Sequence, residues 1–237
     1  MIIKPDNEML SYSGRIDFDD RLAPVLVYAC SSIGMKFTGT SLKAVIVNHR
    51  SCWTNELGYF IDGEQKRFTL SSDEEKKTYT LAENLPEGTH ELLLFKRMDS
   101  CHTFTFYGFE IEDGAKVLAL PEKPKRKMEF FGDSVSCGEV SEAVEYAGKP
   151  DPEHDGQYSN SWYSYAWMTA RRLNAQIHDI AQGGIALRDH TGWFYEPEAI
   201  GMETAWNKIH YNPLLECNRV GFLQIYTTGG NCGNRSE

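Results

Sequence analysis

The sequence predicts two unlike parts in one chain, an all-β sandwich followed by an α/β unit. Over residues 10 to 120, short runs rich in Val, Ile, Phe, Tyr and Thr alternate with turn-forming residues. A segment rich in proline and lysine follows, and a strand–helix–strand pattern begins near residue 128. The length of 237 residues is enough for one large domain or two small ones.

The first part, residues 1–122, has the pattern of a sandwich or jelly roll. Many short strands at regular spacing favour that architecture over βαβ units. Apolar and polar residues alternate over 102–107, which is typical of a strand with one buried face. Asp62-Gly63 and Asp113-Gly114 are turn formers between such runs. The predicted strands cover residues 25–28, 35–38, 42–47, 59–61, 78–81, 91–96 and 103–111.

The second part begins after residues 123–127, where a proline and several cations predict a solvated linker. A basic run of this kind is also able to hold a phosphate, although the chain as a whole is acidic. Residues 128–131 and 177–181 are short apolar runs typical of buried parallel strands. Residues 161–173 between them carry apolar side chains at a helical period. We therefore expect an α/β unit over residues 128–237.

Composition excludes several classes of protein. With 34 acidic against 24 basic residues and a net charge of −10, a nucleic-acid partner is not expected, because phosphate contacts need clustered Lys and Arg. No apolar stretch is long enough for a membrane span. The six cysteines are scattered without metal-ligand spacing, so neither a zinc site nor a disulfide framework is expected. A small molecule or a neutral polymer is the expected partner.

The N-terminus carries no signal-peptide core, which predicts a cytoplasmic chain as written.

The sharpest chemical signal is Gly132-Asp133-Ser134 at the end of the first α/β strand. A serine at a strand-to-helix turn presents its hydroxyl, and nearby backbone N–H groups are able to stabilise an oxyanion, as acyl transfer requires. An ordinary helix cap made by Asp133 or Ser134 is the alternative. Gly183-Gly184 follows the next predicted strand, where a plain strand-ending turn is the alternative.

These motifs resemble the first two motifs of the GDSL or SGNH hydrolases. With a β-sandwich in front, the chain looks like carbohydrate esterase family two, a jelly roll followed by a flavodoxin-like SGNH domain with a parallel sheet. The resemblance implies a carbohydrate acetyl esterase whose substrate is an acetylated oligo- or polysaccharide, and secretion of the intact protein is possible by the same resemblance. It implies no metal and no cofactor.

The resemblance also implies the roles of individual residues. Ser134 would attack the ester carbonyl, and the N–H groups of Ser134 and Gly183 would hold the oxyanion, with Gly184 as the second choice. Asp133 is expected to support the turn. Trp193 and Phe194 would form a sugar-stacking wall, while ordinary packing of that loop is the alternative.

The chain departs from the family in its later motifs. The third motif, Gly-x-Asn-Asp, is absent, and Asp-x-x-His occurs only at Asp151–His154, in a polar loop where the family does not place it. We therefore expect His154 to be solvated and His178 to be a core or edge residue. Asp189 and His190 have no motif support as cleft residues.

The tail from about residue 218 does not have the pattern of the buried strand expected there. Shifting an allowed set of codons by one nucleotide yields an apolar strand followed by Gly-Gln, so we hypothesise a frameshift or truncation. The α/β domain would then be incomplete, and the base His and Asp would lie outside the chain. Because a serine hydroxyl needs an adjacent base, we predict little or no esterase activity for the chain as given.

Two rival functions stay open. A non-catalytic carbohydrate-binding protein would use the sandwich to bind glycan, with an inert α/β part. An SGNH lipase or thioesterase would share the serine chemistry and differ in substrate.

Overall fold

The computed structural model describes residues 1–49, 53–192 and 199–211. Its strands are β1 (Ile2–Ile3), β2 (Ser11–Ser13), β3 (Ile16–Asp17), β4 (Val25–Leu26), β5 (Ser32–Thr38), β6 (Leu42–His49), β7 (Glu56–Ile61), β8 (Glu64–Thr69), β9 (Lys77–Ala82), β10 (Thr89–Lys96), β11 (Thr103–Ile111), β12 (Val117–Leu118), β13 (Arg126–Gly132) and β14 (Ala175–Ala181). Its α-helices are α1 (Ser134–Cys137), α2 (Tyr165–Arg172) and α3 (Met202–Ala205), with 3-10 helices at Val144–Tyr146 and Ser161–Tyr163. None of these helices has the length and apolar character needed to cross a membrane.

The predicted all-β sandwich is confirmed. One sheet has the order β3-β4-β11-β6-β9 with β1 beside β11, and the other has the order β12-β5-β10-β7-β8 with β2 beside β5. Most successive strands switch between the two sheets, as in a jelly roll. The core between them buries apolar side chains from both sheets, among them Phe37, Ile46 and Phe104.

The sequence pattern located the central strands of both sheets but missed the polar edge strand β8. Strand β11 has the predicted bounds, and β5, β7 and β10 begin a few residues before the predicted start. Strand β8 was not predicted, because its residues Glu64–Thr69 are mostly charged or polar and mostly exposed. It pairs with β7 along its whole length, and charged side chains are typical of such an edge strand.

The α/β prediction is met in part. Within the described residues, β13 and β14 form a parallel pair of two strands, with α2 packed against β14. Strand β13 begins at Arg126, so the last two residues of the predicted linker 123–127 belong to the strand. The predicted helix over 161–173 is divided at Ser164, which is extended and accepts a hydrogen bond from Trp167 N to cap α2.

The two parts share a hydrophobic core because β10 is apolar on both faces. Leu92 and Leu94 point into the sandwich core, whereas Leu93 and Phe95 belong to a second cluster with residues of α2 and β14. Gly58, the cross-strand partner of Phe95, leaves space for the Phe95 ring. A Cβ at residue 58 would lie 2.1 Å from the ring's Cζ atom.

Aromatic rings form the centre of this shared cluster. The centroid of Trp162 lies 4.5 Å from that of Phe60 and 5.9 Å from that of Phe95. Trp167 packs edge-on against Phe95 at 5.4 Å and against Trp162 at 4.9 Å. Edge-to-face pairs of this kind add to the stability gained by burial. The α/β part therefore packs on the outer face of one sandwich sheet.

We expect Trp167→Ala to lower the free energy of unfolding by about 3–5 kcal/mol, because it leaves a cavity between Phe95 and Trp162. The matched control is Met168→Ala on the same helix, where the side chain is 51% exposed and the expected change is within about 0.5 kcal/mol. Urea denaturation monitored by circular dichroism measures both. Equal losses in the two variants would contradict a shared core at Trp167.

Candidate functional site

Ser134 lies at the carboxyl end of β13, as the first residue of the short helix α1. Its residue is half-buried, while the next residue, Val135, is exposed. Asp133 caps α1 by accepting a hydrogen bond from Val135 N at 3.0 Å. Asp133 thus supports the turn in the way the sequence indicated.

The sequence around Ser134 allows a tight turn. Ser136 Oγ would lie 2.0 Å from a Cβ at residue 132, so only glycine leaves room for this buried serine. The hydroxyl groups of Ser136 and Tyr165 are 2.8 Å apart, which ties α1 to α2. Gly138 ends α1 with a φ of 76°, a left-handed conformation that glycine adopts without steric cost.

The parallel register brings the two glycines to the same edge of the sheet as Ser134. Gly132 pairs with Ala181, and Gln182 N donates to Gly132 O at 3.2 Å. Ser134 and Gly183 therefore each follow a register pair by two residues. Carboxyl ends of neighbouring parallel strands form the crevice in which α/β proteins bind ligands.

The Gly183 amide already has a partner from the sandwich. Gly183 N donates to Asp99 Oδ2 at 2.8 Å, and Ser100 Oγ donates to Gln182 Oε1 at 2.8 Å. Gly184 is exposed, with a φ of 77°. The loop between β10 and β11 therefore fixes the turn after β14. The Gly183 N–H is occupied by the Asp99 carboxylate, whereas Gly184 is exposed at the end of the turn.

Asp99 also pairs with a histidine of its own loop. His102 Nδ1 lies 3.1 Å from Asp99 Oδ1, and both side chains are buried. Trp53 N donates to His102 Nε2 at 3.1 Å, so this nitrogen acts as an acceptor toward the main chain. The pair has the carboxylate–imidazole contact of a catalytic triad. The second ring nitrogen of His102, however, accepts a main-chain hydrogen bond and is not directed at a nucleophile.

The charge of Asp99 is stabilised in place. Burial raises its pKa, but the hydrogen bond from His102, the Lys96 ammonium and the Gly183 N–H together hold the pKa below its usual value. Lys96 is itself buried, and its Nζ donates to the main-chain oxygens of Met98 and Asp99. Sequence reasoning missed Asp99 and His102. The available signal was a polar segment between two apolar strands at residues 97–102.

Glu139 also faces this glycine. A Cβ at Gly183 would lie 2.8 Å from Glu139 Oε2 and 3.1 Å from Asp99 Oδ2, so two carboxyl groups converge on this residue. Burial, together with the charges of Asp99 and Asp151, raises the pKa of Glu139 to about 7. Asp99 and Glu139 also line a small cavity together with Trp53, Met98, Cys137 and Ser159.

The other histidines considered in the sequence have structural contacts. His154 was expected to be solvated, and this is wrong, since its side chain is only 12% exposed. Its ring packs on Trp53 at 4.6 Å between centroids, and its Nε2 lies 3.9 Å from Glu139 Oε1. His178 is buried beside Glu129, as expected of a core residue.

Asp189 accepts hydrogen bonds from Gly201 N and Thr204 Oγ1, which anchors α3. Trp193, Phe194 and the tail from residue 218 lie outside the described residues.

A general base for Ser134 is not evident in the described part of the chain. Over residues 1–49, 53–192 and 199–211, six histidine rings make hydrogen bonds to groups other than the Ser134 hydroxyl, namely those of His49, His90, His102, His154, His178 and His210. Cys30, Cys101 and Cys137 are buried free thiols, and burial raises the pKa of Cys137. The described site therefore offers a serine, backbone donors and two carboxyl groups.

The described chain thus combines a β-sandwich with a parallel strand pair that carries a serine and a glycine turn at one edge. Residues 12–121 match the family described as Carbohydrate esterase 2 N-terminal. The resemblance of the chain to carbohydrate esterase family two is thereby confirmed, and its first part is the N-terminal domain of that family.

Individual proteins that are similar to this chain include carbohydrate esterases. Cellulase/esterase CelE of Acetivibrio thermocellus is 34% identical over 188 residues, which are 79% of this chain and 22% of CelE. An acetylxylan esterase / glucomannan deacetylase of Cellvibrio japonicus is 26% identical over 81% of this chain and 57% of that protein. A family two carbohydrate esterase of Clostridium thermocellum, solved with cellohexaose, has a TM-score of 0.67 at 32% identity, covering 78% of this chain and 55% of that chain. The chain thus spans less than two thirds of the length of each of these relatives.

The position of Glu139 predicts a pH-dependent stability. A carboxyl group whose pKa is higher in the folded than in the unfolded protein binds its proton more tightly when folded, so stability falls as pH rises from the unfolded pKa toward about 7. We expect Glu139→Gln to leave the melting temperature almost unchanged at pH 5 and to raise it at pH 8. Differential scanning calorimetry at the two pH values measures the effect.

The control is Glu145→Gln, which removes the same charge from an exposed position in a neighbouring 3-10 helix. It is expected to give no such difference between pH 5 and pH 8. Melting temperatures of Glu139→Gln that are lower than those of the unsubstituted chain at both pH values would contradict a raised pKa at Glu139.

Proposed function

We propose that this chain is the sandwich and the nucleophile-bearing part of a carbohydrate acetyl esterase. One observation carries the proposal, namely the parallel register that sets Ser134 and the Gly183-Gly184 turn at one edge of the β13–β14 pair. The names of its relatives, an esterase and an acetylxylan esterase, support the reaction class.

The proposed chemistry is acyl transfer in two steps. Ser134 Oγ attacks the acetyl carbonyl and loses its proton, and the carbonyl oxygen becomes an oxyanion. The oxyanion then collapses, the ester C–O bond to the sugar breaks, and the sugar oxygen takes up that proton to leave as an alcohol. Water then attacks the acetyl-serine, releasing acetate and restoring the Ser134 hydroxyl. Removing one hydrogen-bond donor from an oxyanion hole typically costs about 10²–10³ in rate.

Of the two glycines, we now favour Gly184 as the second oxyanion donor after Ser134. The sequence had favoured Gly183, but the Gly183 N–H donates to the buried Asp99 carboxylate. A donor that already binds a carboxylate has to exchange that bond before it is able to bind the oxyanion. Gly184 lies one residue further on, exposed at the end of the turn, and Asp99 would then fix the turn that presents it.

The proposed substrate is a neutral, O-acetylated oligo- or polysaccharide. An acidic chain with a net charge of −10 repels anionic polymers. A relative solved with cellohexaose supports a β-linked glycan as the class of polymer. Trp53, half-exposed beside the cavity of Asp99 and Glu139, offers an aromatic surface of the kind that packs on sugar rings.

A fluorophosphonate probe tests the nucleophile directly. We expect slow, site-specific labelling of Ser134, located by mass spectrometry of tryptic peptides, because the described residues supply no base for the hydroxyl. Ser134→Ala should abolish the label. Hydrolysis of p-nitrophenyl acetate is expected to be weak for the same reason.

Ser136→Ala is the matched control, since Ser136 lies two residues further along α1 but is buried against Tyr165. It should keep the label at Ser134. A label that persists in Ser134→Ala, or that falls on another residue, would contradict the proposal. Fast ester hydrolysis that depends on Ser134 would instead contradict the expected weakness of the chain.

A second candidate, non-catalytic glycan binding, is favoured by one observation, the cellohexaose complex of the 32% identical relative. Isothermal titration with cellohexaose distinguishes it. Equal binding by the unsubstituted chain and by Ser134→Ala, with no labelling of either, would favour binding alone.

A further inference from the structure

Two carboxyl groups from different parts of the fold meet at Gly183. Asp99 comes from the β10–β11 loop of the sandwich and accepts the Gly183 N–H at 2.8 Å. Glu139 follows α1, and its main-chain N donates to Ser134 O at 3.0 Å. Its Oε2 lies 2.8 Å from the position of a Cβ on Gly183. A substituent on the glycine would therefore touch both carboxyl groups, and the Glu139 main chain is tied to the nucleophile.

The charged groups around Glu139 are mostly acidic. Asp99 faces it from the sandwich loop, Asp133 from the start of α1 and Asp151 from the loop after the first 3-10 helix. The opposing groups are two histidines, His102 behind Asp99 and His154 at 3.9 Å. Lys96 lies on the far side, against the main chain of Asp99. Like charges in a shared, partly buried site separate the proton affinities of two carboxyl groups.

We propose that Asp99 and Glu139 are a positioning pair for the oxyanion turn, in which Asp99 stays ionised and Glu139 carries the proton while the site is active. The inference rests on the proposed role of Ser134 and the Gly183-Gly184 turn, and it adds a control of that site by pH. Loss of the Glu139 proton places a second negative charge beside the turn, where negative charge develops on the substrate during acyl transfer.

The direction of the effect distinguishes this pair from an ordinary base. A serine hydrolase that depends on a histidine base becomes faster as pH rises through the pKa of that histidine. Repulsion by an ionised Glu139 acts in the opposite direction, because the pKa of Glu139 is about 7. If the ionised form is inactive, the rate at pH 8 is about one tenth of the rate at low pH, since about a tenth of Glu139 is then still protonated.

The experiment measures the rate of fluorophosphonate labelling of Ser134 between pH 5.5 and pH 8.5 on the full chain. We expect the rate to fall about tenfold between pH 6 and pH 8 after correction for probe hydrolysis. Glu139→Gln, which keeps the shape and removes the charge, should remove the fall. Glu145 is exposed and has no part in the proposed pair, so Glu145→Gln should behave like the unsubstituted chain.

A second readout does not depend on reactivity. In ¹H–¹⁵N correlation spectra, the amide signals of Gly183 and Gly184 should shift with a midpoint near pH 7 in the unsubstituted chain and in Glu145→Gln, but not in Glu139→Gln. A rate that falls equally in Glu139→Gln, or glycine signals that titrate in that variant as before, would overturn the pair.

If Ser134 is not labelled at any pH, the proposed function fails, and the glycine signals alone then decide the pair. A titration near pH 7 that disappears in Glu139→Gln would support coupling of the two carboxyl groups to the turn. Signals that do not titrate in the unsubstituted chain would overturn it.

Discussion

The packing of four aromatic rings between the sandwich and the α/β part is the contact on which the rest of this structure depends. Phe60 and Phe95 lie on the outer face of one sandwich sheet, and Trp162 and Trp167 cover them. Because protein interiors are close-packed, these rings fix the position of α2, and α2 packs on β14. The parallel strand pair with Ser134 at its edge is therefore held by the sandwich as well as by its own hydrogen bonds.

The candidate site is accordingly a product of both parts. Ser134 and the glycine turn come from the α/β strands, whereas Asp99 and His102 come from a sandwich loop. A buried carboxylate that accepts a main-chain N–H and an imidazole N–H is well satisfied, which explains how a negative charge is tolerated beside a site that would bind an oxyanion. Precise geometry of this kind needs rigid support on both sides.

Much of this was predictable from the sequence, and the failures have physical causes. Apolar sequence pattern located β11 and the central strands because most of their residues are buried. It missed β8, whose charged residues face solvent and whose pairing depends on β7. The Gly132–Ser134 motif placed the serine at the end of a strand. The partners of that site, Asp99 and Glu139, were not predicted, because they are brought together by tertiary packing across dozens of residues. The same packing buries His154, which looked solvated in its polar loop.

The double-sided strand β10 has a consequence for anyone who wishes to isolate the first domain. Leu93 and Phe95 meet water as soon as residues beyond 122 are removed, and Phe60 loses Trp162. The excised sheet would present an exposed hydrophobic patch, which favours self-association. Glycan binding by such a fragment would have to be distinguished from non-specific hydrophobic adsorption. A soluble fragment would therefore need polar substitutions at Phe60, Leu93 and Phe95.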